Sequence, residues 1–177
     1  MANLRNCFTL LILILATSSC GLSLAQKNLA KGQREETLTS GSLVGKVHSV
    51  DGRTLDLADE PDRIQVVMFV SETCSVCRHE TANLVQDRAQ NGIPSNATFF
   101  SIVVGSVLAD AADWKNELGV DWAVAVDVED KLFRSYCPEL QTPCVLLRDP
   151  IQNRTTKLVG EHSLEEWQNF TGKWRLP

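Results

Sequence analysis

Apolar and polar positions repeat with two different periods along this chain, and the changes of period mark its elements. Residues 64–71 form an apolar run with only Gln65 and the closing Ser71 polar, bounded by turn residues, which predicts a strand buried on both faces of a sheet. Residues 81–89 contain neither Pro nor Gly, and Val76, Leu84 and Val85 recur at helical spacing, so a helix is predicted to start close to Cys74. A second buried strand is predicted over 98–104, a helix over 108–118 closed by Gly119, a short strand over 122–126 and a brief helix over 129–136. Strands over 143–148 and 155–159 follow. Ser163 and Glu166 then fit a capping box opening a last helix over about 164–172. Ahead of these, 44–50 and 53–57 flank Asp51-Gly52, a dipeptide suited to the type I′ turn of a hairpin. A hairpin followed by β-α-β-α-β-α-β-β-α implies an α/β domain with a mixed central sheet flanked by helices.

The flanks and the composition change the picture in one respect, which is destination. Residues 1–25 carry a single charged side chain, Arg5, and an apolar stretch at 7–16 too short to span a bilayer, as an export signal does. Ser23 and Ala25 suit cleavage before Gln26. Alternatively, Ser18-Ser19-Cys20-Gly21 resembles a bacterial lipoprotein site, with Cys20 lipidated as a membrane tether and Thr17 standing where an aliphatic residue is usual. Residues 26–41 are polar and aperiodic and read as a linker or loosely docked arm, leaving 42–177 as one domain. With 177 residues and 44% hydrophobic content the chain can bury one ordinary core. Its net charge of −5 becomes −6 once Arg5 leaves with the signal, and without a basic block this argues against nucleic acid as a partner. Of six cysteines, Cys7 and Cys20 lie in the leader, and the remaining four suit oxidised or cycling pairs in an exported protein.

The chemistry concentrates where the first buried strand gives way to the helix, at Cys74-Ser75-Val76-Cys77. A thiol at a helix N-terminus meets unpaired backbone N–H groups and the positive end of the helix dipole, both of which favour the thiolate. Cys74 would attack a partner disulfide and Cys77 would displace the mixed disulfide. The competing readings are a static disulfide, or half of a zinc site completed by Cys137 and Cys144, whose six-residue gap is not a usual zinc-knuckle spacing. Cys137 and Cys144 could themselves pair, stabilising by about 2.5 kcal/mol on the loop-entropy estimate for an eight-residue loop. Otherwise they are a second exchanging pair or buried free thiols. Glu80, three residues after Cys77, sits on the adjoining helix face, where an acid also complements the dipole. His79 reads as surface, and Trp114, Trp122, Trp167 and Trp174 as packing residues. Sequons at Asn96, Asn153 and Asn169 matter only in a eukaryotic secretory cell, and the lipoprotein-like leader points to bacteria.

This order of elements, with Cys-x-x-Cys at the first strand-to-helix junction and Thr142-Pro143 opening a late strand, resembles the thioredoxin fold. More narrowly it is similar to the TlpA-like branch of exported, often membrane-tethered thioredoxins, over roughly residues 42–174. The hairpin, the extra helix and strand between 108 and 126, Cys-x-x-Cys-Arg-x-Glu at 74–80 and the leader carry that resemblance. It implies that Glu80 moves protons from the buried second thiol. It implies a cis Thr142–Pro143 bond beside Cys74, whose backbone contacts an extended substrate segment. It also implies a cofactor-free, metal-free reductant of disulfides in other exported proteins, in the periplasm or anchored facing it, supplied by a membrane or periplasmic electron donor. The family usually has Trp where this chain has Thr73, and Pro where it has Ala82; the first change makes the docking surface less apolar and the second removes a helix kink. Two other functions use the same cysteines: a peroxiredoxin-like peroxidase, for which Ser71 fits but Val67 replaces the expected Pro, and a copper or zinc carrier holding the metal through thiolates.

Overall fold

The computed structural model describes residues 36–38, 43–59, 62–91, 97–163, 165–167 and 169. The leader with Cys20, most of the 26–41 stretch and the end of the closing helix lie outside the described residues. In chain order the elements are β1 (Glu36–Leu38), β2 (Lys46–Ser49), β3 (Thr54–Asp56), β4 (Ile64–Val70), α1 (Ser75–Asn91), β5 (Ala97–Val104), α2 (Leu108–Leu118), β6 (Ala123–Asp127), α3 (Lys131–Tyr136), β7 (Cys144–Asp149) and β8 (Arg154–Val159). They form one mixed sheet of order β1-β8-β7-β4-β5-β6-β2-β3, parallel at β4–β5–β6 and antiparallel elsewhere.

Every residue of β4 is buried, because this strand lies inside the sheet with both faces covered. Ile64, Val66, Met68 and Val70 point into a layer with Cys77 and Leu84 of α1 and Ala111 and Trp114 of α2. Val67 and Phe69 point the other way, toward Val47, Phe133, Cys137, Cys144 and Leu146. Strand alternation therefore builds two apolar layers on opposite faces of one sheet. Gln65, the polar break in the run, gives its side-chain amide to the Leu57 carbonyl at 2.8 Å, so burial leaves the group hydrogen-bonded. Gly119 ends α2 in the left-handed conformation (φ 65°) with its N–H on the Asn116 carbonyl, as its position in the sequence predicts.

Two expectations need correction. The hairpin at Asp51-Gly52 is not a two-residue type I′ turn: only Gly52 has positive φ (85°), Gly52 N–H bonds the Ser49 carbonyl, and Ser49 N–H bonds the Arg53 carbonyl. The loop is thus 50–52, and the Asp51 carboxylate accepts from Arg53 N–H at 3.2 Å. A turn ending in a left-handed glycine suits a three-residue hairpin, and a dipeptide alone does not distinguish the two loops. The second concerns the 26–41 stretch, which supplies β1, antiparallel to β8 with Thr37 opposite Thr156. An edge strand needs only backbone donors and acceptors, so an aperiodic polar stretch can join a sheet.

Candidate active site

Because β4, β5 and β6 are parallel, the turns that follow them open at the same end of the sheet, and β4 is also where the sheet changes from parallel to antiparallel pairing. That is the place where α/β sheets present binding groups. Cys74 occupies it as the residue before α1, its carbonyl accepting the Arg78 N–H at 3.1 Å. Its Sγ accepts the N–H of Cys77 at 3.1 Å. Sulfur thus takes the N-cap position, where an oxygen side chain usually satisfies the third helical N–H. Once the sulfur is a thiolate this bond becomes charge-assisted, which favours that state.

Cys74 and Cys77 are joined as a disulfide with Cα atoms 5.2 Å apart. The two sulfurs are unequal in access: Cys74 is half-buried, whereas Cys77 is 0% exposed. Across from them the Thr142–Pro143 peptide is cis, and the Thr142 carbonyl lies 3.7 Å from Cys74 Sγ. Pro143 is buried and its carbonyl accepts from Gly160 N–H at 2.9 Å.

Glu80 lies one turn beyond Cys77 on α1 and is fully buried. Burial pushes its carboxyl up to about 8, and the carboxylates of Glu161 and Glu166 push the same way; the backbone N–H of His162 and the indole of Trp167 hold it down. A carboxyl poised near neutrality one helical turn from Cys77 titrates in the working pH range. Beside Thr73, a cleft of about 330 Å³ runs between the start of α1 and the acidic side chains Asp110, Asp113 and Glu117 of α2. Arg78 bonds Glu117 across it.

The second pair, Cys137 and Cys144, also forms a disulfide, with Cα atoms 6.5 Å apart and neither residue exposed. Cys144 stands opposite Phe69 and Val159 in the sheet register, on the face away from Cys77. Its loop contains Leu140, held left-handed at φ 53°, which costs a residue with a Cβ about 1–2 kcal/mol. Leu140 N–H bonds the Cys137 carbonyl at 2.9 Å, yet its side chain is 49% exposed.

Three solved structures match this arrangement of strands and helices along most of their length. They are a secreted disulfide oxidoreductase of Mycobacterium tuberculosis homologous to the DsbE of E. coli (TM-score 0.61, 17% identity, 71% of this chain and 92% of that one), a DsbF homologue from Corynebacterium diphtheriae (0.64, 17%, 81% and 94%), and the thioredoxin domain of a thiol-disulfide oxidoreductase from Bacteroides vulgatus (0.63, 20%, 77% and 98%). The fold is the thioredoxin fold. No protein-family model matches the sequence, and no curated protein does.

Within the thioredoxin fold, Cys74, Cys77, Thr142 and Pro143 come together at the mouth of the site, with Glu80 behind them. Cys137 and Cys144 do not join them. That separation overturns the four-cysteine zinc reading: the pairs belong to different apolar layers, and among the described residues no group of three or more His, Cys, Asp or Glu side chains is placed to hold a metal ion. Two residues around the site escaped sequence reasoning. His162 and Trp167 meet Glu80 from some eighty residues downstream, and nothing local to either marks it as a neighbour of α1. The capping box of Ser163 and Glu166, with Ser163 N–H on the Glu166 carboxylate at 2.7 Å and Glu166 N–H on Ser163 Oγ at 3.3 Å, sets the turn that brings them there.

Proposed function

We propose that this protein is an extracytoplasmic thiol-disulfide oxidoreductase that reduces disulfides of other exported proteins. The observation that carries the reading is the inequality of the two cysteines, one half-buried at a helix N-cap and its partner sealed one helical turn before a buried acid. In the reduced protein the Cys74 thiolate attacks a substrate disulfide, forming a mixed disulfide and releasing one substrate thiol. Cys77 passes its proton to Glu80 in its ionised form and attacks Cys74 Sγ, which expels the second substrate sulfur as a thiolate that takes a proton from water. Two electrons reach the substrate, and the protein is left as the Cys74–Cys77 disulfide of the structure, to be reduced again by a membrane or periplasmic dithiol donor. The reducing direction and the destination rest on the TlpA-like resemblance and the export leader.

A peroxiredoxin reading is less well supported, because Ser71 Oγ lies against Thr73 Oγ1 at 3.2 Å and Cys74 already has its resolving partner three residues away. Equilibration in glutathione buffers, with thiol trapping scored separately for each cysteine pair, tests the proposal. A Cys74–Cys77 potential near that of thioredoxin, about −270 mV, is expected. One near −120 mV makes the protein an oxidant, and copper held stoichiometrically by the reduced form makes it a carrier.

A further inference from the structure

The loop from Cys137 to Cys144 is tied down more heavily than an exposed connection needs. Its ends are joined by the sealed disulfide. Its middle is held by Glu139, whose carboxylate takes the Lys157 ammonium at 2.7 Å, with Lys157 itself 2% exposed on β8. Its exit is held by Gly160 N–H on the Pro143 carbonyl. Between these ties Leu140 sits in a left-handed conformation and turns an apolar side chain to solvent, two residues before the Thr142 carbonyl that touches Cys74 Sγ. Strained residues persist where their surroundings over-determine them, and such places cluster at functional sites.

We propose that the Cys137–Cys144 disulfide and the Glu139–Lys157 ion pair are positioning groups that present Leu140 and Thr142 to an extended, apolar segment of a protein substrate. This rests on the reading of Cys74–Cys77 as the exchanging pair. The second disulfide then takes no electrons itself; it fixes the edge against which a protein substrate lies, and a small disulfide, which has no such segment, does not use it. Preorganised contacts matter most for substrates that must be aligned.

The test compares reduction of insulin with reduction of glutathione disulfide. For Cys137→Ala/Cys144→Ala, kcat/KM for insulin is expected to fall about tenfold while the rate with glutathione disulfide is unchanged. Glu139→Gln keeps the disulfide and is expected to shift insulin in the same direction by a smaller factor, which carries the test if the double variant does not fold. Leu140→Asn, a residue that accepts left-handed backbone, is expected to raise KM for insulin and leave kcat alone. Equal rates with both substrates in all three variants overturn the proposal, as does trapping of Cys137 and Cys144 as thiols during wild-type turnover. Wild-type protein inert toward both substrates refutes the exchange reading itself, a result distinct from a variant that loses neither activity.

Discussion

Two disulfides lie on opposite faces of one sheet, and each closes a short loop. On loop entropy alone, the four-residue loop of Cys74–Cys77 and the eight-residue loop of Cys137–Cys144 constrain the unfolded chain by about 2 and about 2.5 kcal/mol. Their settings separate them. Cys74, half-buried, caps a helix at the open end of the parallel strands. Cys144 is the first residue of an interior strand, facing Phe69 among apolar side chains. Exchange needs a thiolate that can reach a second disulfide in line, so on the proposed function one bond is a reagent and the other a fastening.

The largest effect that separates them comes from the nucleophile. Cys74→Ser is expected to lower protein-disulfide reduction by at least about a thousandfold with the fold intact, measured as insulin turnover alongside circular dichroism. Cys77→Ser is expected instead to accumulate the mixed disulfide, seen as a mass adduct on Cys74. If Cys74→Ser keeps most of its activity, the distinction between the pairs is wrong. Next in size is selective reduction: dithiothreitol titration of the folded oxidised protein, followed by alkylation and mass analysis, is expected to label Cys74 and Cys77 and leave Cys137 and Cys144 joined until denaturant is added. Labelling of all four at one reductant concentration contradicts the sealing.

Much of this contrast was legible in the sequence. Residues 64–71 declare an interior strand because a strand covered on both faces loses its alternation, and Cys74 follows it at the point where the period changes. The pairing of Cys137 with Cys144 was one of several open readings, since spacing fixes the loop length and leaves the Cα separation unknown. Which face the pair occupies depends on the register of β7 against β4, a long-range property that places Cys144 opposite Phe69. The same limit explains β1, recruited by backbone pairing with no apolar pattern to betray it. It also explains Glu80: its place after Cys77 was plain, but its raised pKa comes from burial, and the His162 N–H and Trp167 indole that partly offset it come from far away in the chain.

The fastening itself is measurable. In urea, Cys137→Ala/Cys144→Ala is expected to lose about 2.5 kcal/mol of stability relative to the oxidised wild type, and Cys74→Ala/Cys77→Ala about 2 kcal/mol. Similar losses accompanied by unlike activities sharpen the comparison. A much larger loss at the second pair makes that bond a condition for folding and leaves Glu139→Gln as the test of its positioning role.

The smallest effect concerns the acid behind the active pair. Folding raises the Glu80 carboxyl from 4.5 to about 8, so between those values the native protein holds a proton that the unfolded chain has lost. Its contribution to stability is complete below pH 4.5, declines as pH rises, and levels off above about 8. Glu80→Gln removes that dependence. The oxidised variant is expected to match the wild type at pH 4 and exceed it by roughly 2 kcal/mol at pH 8, about half of what the full shift converts to, because water and structural relaxation reach an ionised carboxylate. The same variant is expected to resolve the mixed disulfide about tenfold more slowly and to lose the inflection near pH 8 in its rate profile. A stability difference flat in pH, or an inflection that survives the substitution, removes Glu80 from the proton path and leaves Cys77 distinguished from Cys137 only by its neighbour's exposure.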